Sequence, residues 1–343
     1  MIMAYRLPKK GLDQTLRAWA EQSKVFAPQK REGYAQFLPW KAGVELLLDE
    51  PHNTRFPPKA FLLPQSETLL TYNRKLNQLE TPTLQISPRI IFGIRPCDAH
   101  AVALLDTVFA TQENPDPYWR ARREQTILIG VGCNQPATTC FCTSVGSSPF
   151  DHAGLDAIFT DIGEAYLVET FTERGEALFA GLPQAEANDE GQARSIQQQA
   201  EAGLTPAFAT DNLKDHLDQI FDSSLWNEFA QSCLGCGICT FLCPTCFCFD
   251  IVDEAQRDER VRNWDTCMFR IYSLEASGHN PRPSRAERTR QRLMHKFSYW
   301  IEHANQFGCT GCGRCVRYCP VGLDIRAMLR KAAATPSEVV HAN

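Results

Sequence analysis

Eight cysteines carry the clearest chemistry in this chain of 343 residues. Cys233, Cys236, Cys239 and Cys243 follow the spacing C-x2-C-x2-C-x3-C and stand before Pro244. Cys309, Cys312, Cys315 and Cys319 repeat that run before Pro320. A duplicated run of this kind is the ligand pattern of two [4Fe–4S] clusters. Three thiols two residues apart wrap one turn around a cubane, and Gly235, Gly237, Gly311 and Gly313 let the backbone approach it closely. The proline stops the turn, and the fourth cysteine of each run points to the other cluster. The expected sets are therefore Cys233, Cys236 and Cys239 with Cys319, and Cys309, Cys312 and Cys315 with Cys243. Structural zinc usually takes pairs of C-x2-C, not a run of four closed by proline. The total of 15 cysteines is odd, so they cannot all pair as disulfides within one chain.

A second thiol group lies in the N-terminal half. Cys97 sits in Arg95-Pro96-Cys97-Asp98, Cys133 in Gly132-Cys133-Asn134, and Cys140 and Cys142 in Thr139-Cys140-Phe141-Cys142-Thr143. Four cysteines from three loops could close one tetrathiolate site. Spacing alone leaves a third [4Fe–4S] cluster, a structural zinc and inert thiols open. Cys246, Cys248 and Cys267 remain. They lack an evident fourth ligand and are expected to pack as small apolar groups beside the cubanes.

The elements that must position these thiols are legible in outline. Ile90-Ile91-Phe92-Gly93-Ile94 and Thr126-Ile127-Leu128-Ile129 read as buried strands. Helical segments Ala99–Phe109, with Asp98 as its cap, and Tyr118–Glu124 lie between them, giving a βαβ unit with a parallel strand pair. Cys97 and Cys133 follow the two strand ends, the usual place for ligands in such folds. Residues 157–160 and 165–171 read as a hairpin. Residues 183–212 are rich in Gln, Ala and acids and suggest a surface helix plus linker. Helical spacing from Leu213 to Phe229 leads into the second half, and the 65 residues between the two cysteine runs suggest helices at Tyr272–Gly278 and Thr289–Asn305. The expected fold is an α/β domain (1–182), a linker with a surface helix (183–212), and a mostly helical ferredoxin-type dicluster domain (213–343).

Composition narrows the function. Net charge is −5, which argues against a nucleic-acid binder. Residues 257–296 reverse this locally, with ten Arg or Lys against five acids. They could neutralise the clusters, dock an acidic partner, or form a solvated face. No stretch reaches the length of an apolar membrane span, and Met1–Lys10 lacks the apolar run of a signal peptide. Clustered thiols then point to the reducing cytoplasm. Nucleotide-binding, HExxH and GxSxG motifs are absent. His100 is read as a packing or capping residue, and His295 and His303 as residues of a helix face.

Further residues carry a family resemblance over nearly the whole chain. They are Asn53-Thr54, Pro57-Pro58-Lys59, Pro64-Gln65, Ile94-Arg95-Pro96-Cys97-Asp98 and Cys140-Phe141-Cys142-Thr143-Ser144. Cys243-Pro244-Thr245-Cys246-Phe247-Cys248, Trp264-Asp265-Thr266-Cys267 and both ferredoxin runs complete the pattern. It resembles the beta subunits of cytosolic sulfhydrogenases (bidirectional nickel–iron hydrogenases) and the A-type iron–sulfur subunits of anaerobic sulfite reductases. Gly146-Ser147-Ser148-Pro149 departs slightly, with Val145 where the family usually has Met. The resemblance implies an electron wire between a flavin subunit linked to NAD(P)H and a hydrogenase or sulfite reductase catalytic subunit. It favours a third [4Fe–4S] cluster on Cys97, Cys133, Cys140 and Cys142, and assigns no role to Cys246, Cys248 or Cys267. Two alternatives stay open: a catalytic N-terminal site for small sulfur compounds, with Arg95 as anion partner, and a cluster-based redox sensor.

Overall fold

The structure is a computed structural model that describes residues 3–49 and 53–336. Among these residues are eleven strands: β1 (Met3–Pro8), β2 (Lys24–Arg31), β3 (Tyr34–Pro39), β4 (Ser66–Asn73), β5 (Gln78–Glu80), β6 (Arg89–Ile94), β7 (Thr126–Val131), β8 (Ala157–Asp161), β9 (Ala165–Thr170), β10 (Phe249–Glu254) and β11 (Glu259–Trp264). The chain divides into two compact units. The first is Met1–Leu62, Gln85–Thr205 and Thr310–Cys312, and the second is Leu63–Leu84, Pro206–Cys309 and Gly313–Asn343. Neither unit is continuous in sequence, unlike the linear division expected from the sequence. Residues 63–84 group with the second unit because β4 pairs with β11. Residues 183–205 group with the first, where the helix Ala187–Ala202 packs on β9.

A seven-stranded sheet in the order β1-β9-β8-β7-β6-β2-β3 forms the first unit. Its middle pairs, β8·β7, β7·β6 and β6·β2, are parallel, and the edges are antiparallel. The βαβ unit read from the sequence is therefore present, and β8 and β9 form the expected hairpin. Phe92, Phe159, Phe179 and Trp19 meet at the core, with Phe92 and Phe159 ring centres 5.3 Å apart. Each such buried aromatic stabilises the unit by about 1.5–3 kcal/mol. The helix after β6 starts earlier than expected: it spans Pro96–Phe109, Pro96 takes its first position, and Asp98 lies in its first turn rather than at its cap. Cys97 is thereby on the helix itself, at the carboxyl end of β6.

The second unit is less helical than expected. It holds a four-stranded antiparallel sheet, β10-β11-β4-β5. Arg262 on β11 and Glu67 on β4 are register partners, both buried, with Arg262 Nε donating to Glu67 Oε1 at 2.9 Å. Removing one member of a buried pair leaves the other charge uncompensated, so Arg262→Ala is expected to cost about 3–5 kcal/mol. Chemical denaturation of wild type and variant checks this; a cost below about 1 kcal/mol would show the pair to be dispensable.

Tyr272–Gly278 forms turns rather than the expected helix. Asn280 explains this: its Nδ2 donates to the Arg270 carbonyl at 2.7 Å, its Oδ1 accepts from Arg282 N at 3.0 Å, and Gly278 has φ +84. Local side-chain bonds here replace the helical ladder. The second expected helix is present over Arg285–Ala304 and contains a π-helical segment, His295–Tyr299. A capping box starts it: Ser284 Oγ accepts from Glu287 N at 3.3 Å, and Glu287 Oε2 from Ser284 N at 2.7 Å. Its buried face carries Arg288, Arg292, Lys296 and Phe297 toward the thiols of this unit.

Candidate metal centres

In the second unit, both cysteine runs open on glycines in the left-handed region. Gly235 and Gly237 have φ +68 and +75, and Gly313 in the second run has +74. At Gly237 a Cβ would lie 2.9 Å from Thr266 Cγ2, so the first loop also needs glycine for space. One apolar cavity of this unit is lined by Cys233, Cys236 and Cys239 from the first run and by Cys319 from the end of the second. Cys315 shares its wall. Cys233 is buried and Cys236 exposed, so the cavity reaches solvent on the Cys236 side. Main-chain donors already point at two of the sulfurs: Gly235 N to Cys233 Sγ at 3.4 Å, and Leu323 N to Cys319 Sγ at 3.3 Å. Such bonds stabilise cluster thiolates and raise cluster potential. A crossed set of four thiols on one mostly dry cavity fits a cubane.

Around Cys243 the second unit gathers cations. Lys296 is only 2% exposed, and its Nζ donates to Thr245 Oγ1 at 2.8 Å and to the Gly308 carbonyl at 2.9 Å. Burial works against its charge, yet Cys243, Cys246 and Cys309 outweigh burial and hold its pKa above the ordinary lysine value. Arg292 is buried in the same way and raised by Cys239, Cys315, Cys246 and Cys243; its Nη2 donates to the Cys239 carbonyl at 3.0 Å. Cys243 itself is held low, first by the Cys246 thiol hydrogen-bonded to it and then by Lys296 and Arg292. Thr245 Oγ1 lies 3.2 Å from Cys243 Sγ. Burial pushes Cys239 and Cys315 up. The basic segment thus divides by use. Arg262, Arg288, Arg292 and Lys296 are buried, and of these Arg292 and Lys296 face thiols. Arg257 and Arg260 pair with acids on the β10–β11 surface, and Arg270 and Arg285 are exposed. Lys296 was not singled out from sequence; one lysine in a helix carries no mark of its burial.

The N-terminal thiols belong to the first unit. Cys133 follows β7, and Cys97 follows the neighbouring β6. Cys142 opens a short 3-10 turn, Cys142–Val145, closed by Gly146 at φ +77. Cys133, Cys140 and Cys142 are close enough to interact electrostatically, and burial pushes Cys133 and Cys142 above the usual thiol range. Asn53 Nδ2 lies 3.6 Å from Cys97 Sγ and donates to the Cys312 carbonyl at 3.0 Å. Residues 310–312 also belong to this unit, and a Cβ on Gly311 would stand 2.4 Å from Cys142 N. Only glycine allows that approach. His100 behaves as a packing residue: its Nδ1 is 2.7 Å from Asp151 Oδ2, which also accepts from Ser147 Oγ at 2.7 Å. Burial would raise Asp151, but His100, the Ala153 amide and Ser147 outweigh it and bring its pKa down to about 2. Arg95 donates to the carbonyls of Leu48 at 2.6 Å and Gly132 at 2.9 Å and reaches Val131 O at 3.4 Å. The guanidinium that the catalytic alternative needs for an anion is thus engaged with main chain.

Among the described residues no three or more Cys, His, Asp or Glu side chains close on a single metal ion. A lone tetrahedral ion would draw its sulfurs to within roughly 4 Å of one another, given Zn–S bonds of about 2.3 Å. A cubane spreads its ligands around a larger body.

Comparison with known proteins agrees with the motif reading. Residues 232–323 match the family model of the 4Fe-4S dicluster domain. Over 314 residues the chain is 29% identical to sulfhydrogenase 2 subunit beta of Pyrococcus furiosus, covering 89% of this chain and 90% of the relative. The chain fits that iron–sulfur subunit family. No solved structure matches it. As an iron–sulfur subunit it has its dicluster match in the second half, whereas the similarity to the relative extends well beyond it. No helix among the described residues is long and apolar enough to cross a membrane.

Proposed function

We propose that this chain relays single electrons between the catalytic subunit of a hydrogenase or sulfite reductase and a flavin-containing, NAD(P)H-linked subunit. Two [4Fe–4S] clusters would be held by the crossed cysteine sets, and a third by Cys97, Cys133, Cys140 and Cys142. The observation that carries this reading is the cavity where Cys319 joins Cys233, Cys236 and Cys239. Bound clusters supply one-electron carriers at potentials set by charge, hydrogen bonds and exposure. The chain's own residues then have distinct tasks. The thiols hold the iron. Apolar residues such as Leu293, Ile325 and Met328 exclude water from the first cavity. Lys296 and Arg292 offset negative charge that would otherwise oppose reduction. The relative's name describes one component of a sulfhydrogenase, which supports partners of the stated kinds. All fifteen cysteines are free thiols, which suits a reducing, cytoplasmic setting.

Iron and sulfide analysis of anaerobically purified protein tests the cluster count. Three clusters require about 12 iron per chain and two require about 8. About 12 is expected, falling by about four in Cys140→Ser. A value near 8 that Cys140→Ser leaves unchanged removes the third cluster. Reduction of the chain by NAD(P)H only in the presence of a co-purifying flavoprotein would support the relay, and failure with every co-purifying protein would count against it.

A further inference from the structure

Three cysteines of the second unit lie outside the twelve proposed ligands, and the fold brings two of them into contact. Phe249 on β10 pairs with Trp264 on β11, so Cys248 and Asp265 emerge side by side at the open end of the hairpin. Asp265 N donates to the Cys248 carbonyl at 2.9 Å and fixes that exit. Two residues later, the Cys267 thiol is hydrogen-bonded to Cys248 Sγ, and the Cys267 main-chain N–H points at the same sulfur. The Tyr272 hydroxyl gives Cys248 Sγ another donor. Cys267 also senses Cys239, a thiol of the first expected set. On the other side Cys248 senses Cys246, which is hydrogen-bonded to Cys243 of the second set. The contacting pair therefore stands between the two sets.

We infer that Cys248 and Cys267 are a redox-active dithiol that closes reversibly to a disulfide by exchanging two electrons with the clusters. This rests on the proposed cluster assignment. Closing takes the Cys248 thiolate and the Cys267 thiol, forms one S–S bond, releases one proton and passes one electron to each of the two flanking clusters. Opening reverses the step: two reduced clusters return two electrons, and Cys267 regains the proton. The pair thus gives one-electron carriers a two-electron store. Its asymmetry suits the chemistry. Hydrogen bonds from Cys267 and Tyr272 bring Cys248 down to about 6, while the contact with Cys248 and burial push Cys267 up. One sulfur is ready as thiolate, and its partner holds the proton. Thiols in hydrogen-bond contact are also too close to serve separate irons of one cubane.

The test uses the full chain, purified anaerobically and poised with mixtures of reduced and oxidised dithiothreitol. Samples are acid-quenched, alkylated and mapped by peptide mass spectrometry, and iron is measured on the same samples. The expected result is a disulfide-linked peptide pair containing Cys248 and Cys267 under oxidising poise, with iron retained. Dithionite titration of the oxidised chain should take up two more electrons per chain than the Cys267→Ser variant at equal iron content. Full iron with Cys248 and Cys267 alkylated separately at every poise overturns the dithiol alone. A linkage through Cys246 instead also overturns it. Linkage in a chain without iron keeps the dithiol and overturns the cluster assignment.

Discussion

Cys319→Ala is expected to remove about four iron per chain, and to do so at the first cysteine run, although Cys319 closes the second. The reason is spatial. Cys319 lines the cavity with Cys233, Cys236 and Cys239. Its sulfur accepts from Leu323 N at 3.3 Å, and the side chain is positioned by the turn after Tyr318. Loss of one of four thiolates opens an iron site to water in a cavity that Cys236 already exposes. Iron content alone does not say which cluster is lost, but pairs of variants do. Cys319→Ala combined with Cys236→Ala should lose no more iron than either alone, because both serve one cluster. Cys319→Ala combined with Cys312→Ala should lose about eight. The opposite pattern, additive with Cys236 and not with Cys312, would show each run to hold its own cluster.

Lys296→Met should make the cluster of the Cys243 set harder to reduce. Lys296 is buried and its hydrogen bonds to Thr245 Oγ1 and Gly308 O go to neutral oxygens. Its charge is therefore balanced by the thiols it faces, Cys243, Cys246 and Cys309. A unit charge several ångströms away at an effective dielectric of about 20 is worth about 2–3 kcal/mol. With about 59 mV per tenfold change for one electron, that corresponds to a fall of roughly 100 mV. Methionine keeps most of the volume, and Thr245 Oγ1 still donates to Gly308 O at 2.8 Å, so the local packing survives. Lys296→Arg retains the charge and should shift the potential much less. A redox titration followed by electron paramagnetic resonance separates the outcomes. An unchanged potential in Lys296→Met would mean that Arg292 and solvent carry the compensation.

Particular residues show what could be read in advance. Ile90–Ile94 and Thr126–Ile129 are continuous β-branched runs because both faces of a parallel strand are buried, and they appear as β6 and β7. The β8–β9 hairpin was legible from two apolar runs around Asp161–Glu164. Tyr272–Gly278 misled because its apolar spacing is helical, while the Asn280 side chain, outside that window, holds the chain in turns. The sheet of the second unit was missed because its strands come from residues 66–80 and 249–264, and pairing across that separation leaves no local periodicity. Arg262 and Glu67 meet only through that register.

The sequence by itself determined the cofactor chemistry, because ligand type and spacing along a single turn are local properties, and Cys233 to Cys243 and Cys309 to Cys319 display them in full. Chain order also marked Cys97, Cys133, Cys140 and Cys142 as a group. Tertiary structure alone decided which buried cations face the thiols, since a helix reports its buried face only when something packs on it; Arg292 and Lys296 turn inward while Arg285 turns out. It also decided that Cys248 touches Cys267. That contact depends on the register of β10 with β11, and a shift of one residue would turn the side chains of the strand to opposite faces.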